Sequence, residues 1–325
     1  MNPAFSVIFL TTLIGAGQGL FLALFTVESY AAFELLHAQH RSFYAAGSMV
    51  ALALLVAGLV ASFFHLGHPE RAWRAAAMWR TSWLSREVIA LPAFMGVVFL
   101  YGAAHLLAFN PLLLTLPSGT PVNLTAILGV AGTVLAFVLF VCTAMIYACL
   151  RFLREWHTPL TVLNYTLLGG ASGFALATAL AAFLAPDVMT FLAGWAMILT
   201  VLAFIGRVAS LMRNARIKNG STVQNAIGVK HPRITQRSQG AMGGSFNTRE
   251  FFHGRTPAAL RAVKWSFLIL SFPLPVALLG LGWALHSPMP LVAAFVVQYA
   301  GLLLERWFFF AQANHPQNLY YQSIG

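Results

Sequence analysis

Apolar residues occupy this chain in long runs with no period-two alternation, and such runs recur eight times between polar breaks. A hydrocarbon core about 30 Å thick needs about 20 apolar helical residues to cross it. The runs predict transmembrane helices at approximately 6–30, 43–64, 87–108, 123–150, 159–184, 188–211, 263–285 and 289–311. A helix satisfies its own backbone polar groups in lipid. The expected fold class is therefore all-α: a polytopic membrane protein of about eight transmembrane helices, one domain over 1–325. The Met1–Asn2–Pro3 start has no basic stretch and the first run extends towards Tyr30, so it reads as a permanent span. Pro92 and the Pro273–Pro275 pair lie inside runs, where neighbouring helices can satisfy the backbone groups they free. Gly15/Gly19 and Gly169/Gly173 stand four apart, the spacing that lets helices approach closely. No strand precedes the Gly15–Gly17–Gly19 cluster, so it is packing and not a dinucleotide loop.

Composition agrees with the pattern. The 325 residues are 59% hydrophobic and 8% charged, against about a quarter charged in soluble domains. The net charge of +11 would suggest nucleic acid in a soluble protein. Here the basic residues sit between spans, so no nucleic-acid partner is expected. Membrane orientation, anionic lipid heads or an acidic partner explain them better. Arg71, Arg74, Arg80, Arg86, Arg151, Arg154 and the stretch from Arg213 to Lys264 share one side with both termini, whereas short loops of the other side hold only Arg41. The positive-inside rule then places both termini and the basic loops in the cytoplasm, with the chain multi-pass in a bacterial inner membrane. The basic loop 213–262 is too short and polar to bury a core. It fits a disordered tether, a lipid-head binder or a docking arm ordered by a partner. The adjacent aromatics in Gly244–Ser–Phe–Asn–Thr–Arg–Glu–Phe–Phe–His–Gly254 favour docking.

Rare ionisable groups mark the candidate chemistry. Only eight acids occur, and two of them, Glu70 and Glu87, fall in or beside loop 2–3. That loop reads His65–Leu–Gly–His–Pro–Glu–Arg–Ala72, then Arg74 and Arg80, then Trp83–Leu–Ser–Arg–Glu87. His65 caps the second span and Glu87 opens the third, with Gly67 and Pro69 turning the chain between them. Such groups at membrane depth are functional hypotheses by default. A quinone needs a hydrogen-bond partner at each oxygen, and two protons move with two electrons. Histidine exchanges protons near neutral pH, and arginine polarises a carbonyl. The competing account makes His65, Arg71 and Glu87 interfacial anchors and ion-paired loop residues. A metal on His65, His68 and Glu70 lacks a fixed scaffold, so no metal site is expected. Haem is not expected either, since no spacing pairs the outer histidines His37, His40, His105 and His286. The two cysteines, Cys142 and Cys149, lie in one apolar run, and an iron–sulfur cluster normally needs four thiolates.

The His-Leu-Gly-x-Pro-x-Arg-Ala pattern at His65–Ala72, followed by Ser85–Arg86–Glu87 in an eight-span chain, resembles the DmsC family. These are membrane anchor subunits of molybdenum-containing oxidoreductases, and the resemblance covers nearly the whole chain. It implies quinol binding by His65 and Glu87, with Arg71 a further member. His65, Arg71 and Glu87 are the candidate catalytic residues, and His65, Gly67, Arg71, Ser85, Arg86 and Glu87 the candidate quinone-binding set. It also implies two partners, an iron–sulfur electron-transfer subunit and a molybdopterin catalytic subunit, with membrane lipids around the bundle. The cofactor within this chain would be quinone alone, ubiquinone or menaquinone. The basic-side quinone site, the opening Met1–Gly15 and the Phe246–Gly254 segment look most like the sulfite dehydrogenase (SoeC) group. Alternatives are a quinol-oxidising anchor of dimethyl sulfoxide reductase type, a passive anchor, and a transporter or proton channel, for which mid-span ionisable groups are scarce.

Overall fold

The structure is a computed structural model that describes residues 1–115, 117, 121–218, 222–234 and 252–316. Eight helical segments are long and apolar enough to cross a membrane. They are α1 (Phe5–Ala32), α2 (Arg41–Phe63), α3 (Trp83–Leu106), α4 (Leu124–Ala148), α5 (Pro159–Leu184), α6 (Met189–Ala215, entered through the 3₁₀ turn Pro186–Val188), the pair α8 (Pro257–Ser271) and α9 (Pro273–Leu285), and α10 (Pro288–Ala311). The short α7 (Val223–Ile227) lies in the basic loop. Between α3 and α4, β1 (Leu112–Thr115) pairs antiparallel with β2 (Pro121–Asn123), with Leu112 opposite Asn123 and Thr115 opposite Pro121. This ribbon is the one departure from an all-helical chain among the described residues.

The helices start where side chains can replace missing backbone acceptors. Ser82, Thr158 and Thr256 accept from the first free N–H groups of α3, α5 and α8. Proline stands at the first positions of α5, α8, α9 and α10, where no N–H is needed. Proline also splits α8 from α9. Pro275 has no N–H to offer Ser271, so the Ser271 carbonyl loses its helical donor. Gln298 of α10 supplies a replacement, its Nε2 donating to Ser271 O at 3.3 Å and to Thr200 Oγ1 at 3.0 Å.

Two helices form the axis. Burial takes 78% of the most apolar stretch of α1 and 67% of that of α5, against 28–39% in the other six. Their contact is glycine on glycine. A Cβ added to Gly19 would stand 2.2 Å from Gly169 O, and one on Gly173 would stand 2.1 Å from Gly19 C. No side chain fits between these backbones. The remaining helices wrap around this pair, and their outward Leu, Val, Ile and Phe residues face lipid.

Gly173→Val should therefore force α1 off α5. Overpacking of this kind costs about 1–3 kcal/mol or more. Thermal unfolding in detergent should show a clearly lowered Tm, whereas Gly96→Ala, in open space, should leave it unchanged.

Candidate functional site on the basic face

Glu87 lies four residues into α3, so its carboxylate enters the bundle about 6 Å beyond the helix start. The residue is only 7% exposed. Its Oε1 accepts a 2.5 Å hydrogen bond from Thr143 Oγ1 of α4. No other described side chain donates to this carboxyl group. Ser85, three positions after the Ser82 cap, is also buried.

The loop above Glu87 folds as a 3₁₀ helix, Pro69–Met78, against the start of α3. His65 follows the end of α2 and is largely exposed, yet its neighbours shield the ring enough to push its pKa below the ordinary histidine value. Arg71 is exposed and pairs with Glu70 at 3.6 Å, and Glu70 also meets His68 at 3.1 Å. Arg86 is committed to the loop: its Nε donates to Trp79 O and its Nη2 to Arg80 O, both at 2.9 Å, while its guanidinium lies 4.2 Å over the Trp83 ring. Gly67 has ordinary backbone angles and free space around it. The structure thus sets Ser85 and Glu87 inside, ties Arg86 to the loop, and leaves His65 and Arg71 outside with no described contact to Glu87. Trp73, 71% exposed, and Trp79 stand beside Arg74 and Arg80 at cation–π distance. Bulky aromatic and basic groups on one short helix suit an interface.

Sequence reasoning missed a buried charge group elsewhere in the bundle. Arg207 of α6 meets Glu305 of α10 at 2.7 Å, and Arg306 meets the same carboxylate at 3.5 Å. Arg207 is 2% and Glu305 1% exposed. The Arg306 guanidinium lies 3.8 Å over the ring of Tyr165. The Glu305–Arg306 dipeptide is visible as a charged pair at a span end, but no local pattern ties it to Arg207. Near the opposite face Glu28 forms a second group. It accepts from Tyr101 and Thr125, each at 2.5 Å, and lies 3.7 Å from His105, whose ring stacks on Tyr44. His105 is thus engaged within the bundle and not simply interfacial. Among the described residues, no group of three or more His, Cys, Asp or Glu is placed to hold a metal.

This architecture has known relatives. The family profile described as "DMSO reductase anchor subunit (DmsC)" matches residues 1–311. The chain belongs to the DmsC family. It is also 60% identical over 324 residues, the full length of both chains, to a sulfite dehydrogenase subunit of Allochromatium vinosum. A DmsC-family chain of this kind is an integral membrane protein and the anchor subunit of an oxidoreductase. The likeness to the sulfite dehydrogenase group carried by its motifs extends along the whole sequence. Residues 244–251 of the docking segment lie outside the described residues; Phe252, His253 and Gly254 border a pocket against the end of α10.

Removing one member of a buried ion pair leaves its partner's charge uncompensated in low dielectric, at about 3–5 kcal/mol. Glu305→Leu should be the most destabilising change in this group, because it strands two guanidiniums. Tm values of the purified complex should rank Glu305→Leu below Arg207→Met, and both below wild type.

Proposed function

We propose that this chain is the quinone-binding anchor of a molybdopterin and iron–sulfur oxidoreductase, passing electrons between an iron–sulfur subunit and membrane quinone, with sulfite oxidation as their source. The observation that carries this reading is Glu87: a carboxyl group buried one turn inside α3 and held by Thr143, on the helix against which the loop with His, Arg and Trp packs. Family membership and the full-length likeness to a sulfite dehydrogenase subunit support the rest. The basic face is cytoplasmic in this reading, and the bacterial inner membrane is the location.

The residues fit a quinone headgroup. The quinone ring supplies two-electron, two-proton redox chemistry, and this chain supplies what the ring's oxygens need. Glu87 holds or gives a proton from the bundle side. His65, neutral near pH 7 because its pKa is lowered, exchanges a proton from the loop side. Arg71 must leave its exposed pairing with Glu70 to reach a carbonyl oxygen, and a docked partner subunit would reorder that loop. The iron–sulfur subunit docks over loops 2–3, 4–5 and the 213–262 loop, where Arg74, Arg80, Arg154 and Arg213 present positive charge and Trp73 and Trp79 present apolar area. A transporter reading fares less well. Phe21, Phe94, Leu20, Leu24 and Leu55 fill the layer between the two polar groups, so no continuous polar path crosses the described bundle.

His65→Ala should abolish, and Glu87→Gln should strongly lower but leave measurable, sulfite-driven reduction of a short-chain quinone in the purified complex, while subunit assembly and dye-linked sulfite oxidation persist. Normal quinone kinetics in either variant would remove that residue from the mechanism. The pH profile gives a separate check. A lowered histidine pKa keeps His65 neutral through pH 7, so quinone-coupled turnover should decline only well below about pH 6.5. Dye-linked turnover measured in parallel should lack that limb.

A further inference from the structure

Beyond Thr143, the donor to Glu87, lies a cavity of about 20 Å³ between α1, α4, α5 and α10. That is room for about one water molecule. Its polar lining comes from Thr11, Thr12, Gln18, Thr143, Tyr165, Ser172 and Arg306. Two buried donors there lack an aligned hydrogen-bond partner among the described residues: the Tyr165 hydroxyl and Arg306 Nε. Four hydroxyls have already spent their protons. Thr143 Oγ1 donates to Glu87, and Thr11, Thr12 and Ser172 donate to helix carbonyls, so these oxygens are left as acceptors. Two donors and several acceptors around a water-sized space can satisfy one water. The Tyr165 ring that lines it packs against Tyr147 and Phe309, which continue into a ring cluster with Trp156 and Phe310.

The charges around this space are unequal. Arg207 and Arg306 face one carboxylate, Glu305, so the group carries one surplus positive charge. An uncompensated buried charge is expensive in a low dielectric. Thr143 separates the cavity from Glu87, the other buried acid of this half of the bundle.

We propose that Thr143, Tyr165 and Arg306 are positioning residues for Glu87, acting through one water held in this cavity. The water accepts from the Tyr165 hydroxyl and Arg306 Nε and donates to the Thr143 and Thr11 oxygens. Thr143 passes the constraint on, turning its hydroxyl to Glu87 and fixing the carboxyl group toward the loop. The surplus guanidinium charge behind the water opposes the Glu87 carboxylate. This inference rests on the reading of Glu87 as a quinone-site residue, and the experiment separates the two.

The complex would be purified with Thr143→Val, Tyr165→Phe, Thr143→Ser, Glu87→Gln and the Thr143→Val/Glu87→Gln double variant. For each, kcat and KM for a short-chain quinone are measured with sulfite as donor, and the Glu87 carboxyl band is read by redox-difference infrared spectroscopy, assigned by its loss in Glu87→Gln. Thr143→Val and Tyr165→Phe should each lower kcat roughly tenfold, the weight of one hydrogen bond to a charged group, with KM unchanged. Both should shift the carboxyl band. Thr143→Ser, which keeps the hydroxyl, should behave as wild type, and Thr143→Val should cost nothing further once Glu87 is gone. An unmoved band and wild-type kcat in Thr143→Val, beside an impaired Glu87→Gln, overturn the positioning role and leave Glu87 in place. A loss seen only in KM, or shared by Thr143→Ser, also overturns it. Wild-type turnover in Glu87→Gln removes the quinone-site reading and this inference with it.

Discussion

Backbone contact between α1 and α5 sets the dimensions of everything else in this bundle. Lipid tails are as apolar as the helix surfaces, so burial of hydrocarbon drives little association inside a membrane; close packing has to do it. Gly15 and Gly19 against Gly169 and Gly173 allow that closeness, with Gly15 O only 3.0 Å from a Cβ placed on Gly169. The same approach brings Thr11, Thr12 and Gln18 of α1 opposite Tyr165 and Ser172 of α5. A bulkier axis would open the small polar cavity between them or abolish it. The site on α3 and α4 is then positioned indirectly, because both helices pack around α1: Gly132 of α4 exists to admit the Phe21 ring, which itself meets Phe94 and Tyr101 of α3 edge-on.

Ionisable groups collect in two layers near the helix ends. The basic-face layer holds Glu87, Arg207, Glu305 and Arg306; the opposite layer holds Glu28 and His105 with Tyr44, Tyr101 and Thr125. Between them the described core is mainly aliphatic and aromatic, broken by a few amides and hydroxyls such as Gln18 and the Gln298–Thr200 pair. This division separates the proposed redox chemistry from the far face. In that proposal, protons consumed or released at Glu87 exchange with the basic side, and the apolar middle layer separates them from the far face.

Much of this was legible in the chain. Eight apolar runs, two glycine pairs at four-residue spacing and an asymmetric arginine distribution are local patterns, and the fold and family follow from them. The motif at His65–Ala72 and Ser85–Glu87 was also local, so family membership could be read from it. Depth was less legible. The apolar pattern starts α3 near Glu87, but the Ser82 cap starts it at Trp83, which puts Glu87 one turn inside and lets Thr143 reach it. Arg86 and Arg71 look alike in sequence, yet one is locked onto the Trp79 and Arg80 carbonyls and the other pairs with Glu70 at the surface. Nothing local could join Arg207 to Glu305 or Glu28 to His105, since each link crosses between helices distant in sequence.

The two layers also differ in what holds their acids, and that difference bears on function. Glu28 is satisfied by neutral hydroxyls and a nearby imidazole, so its environment resembles a structural clamp tying α1, α3 and α4 together. Glu87 has one side-chain donor among the described residues, the Thr143 hydroxyl. A structural acid at such depth would be expected to have all its acceptors filled, because an unfilled one costs free energy with no return. Glu305 Oε2 also lacks an aligned hydrogen-bond partner, but two guanidiniums flank that carboxylate, whereas no described cation pairs with Glu87. In the proposed reading, Glu87 is therefore the acid that takes part in redox traffic between a docked subunit and the membrane.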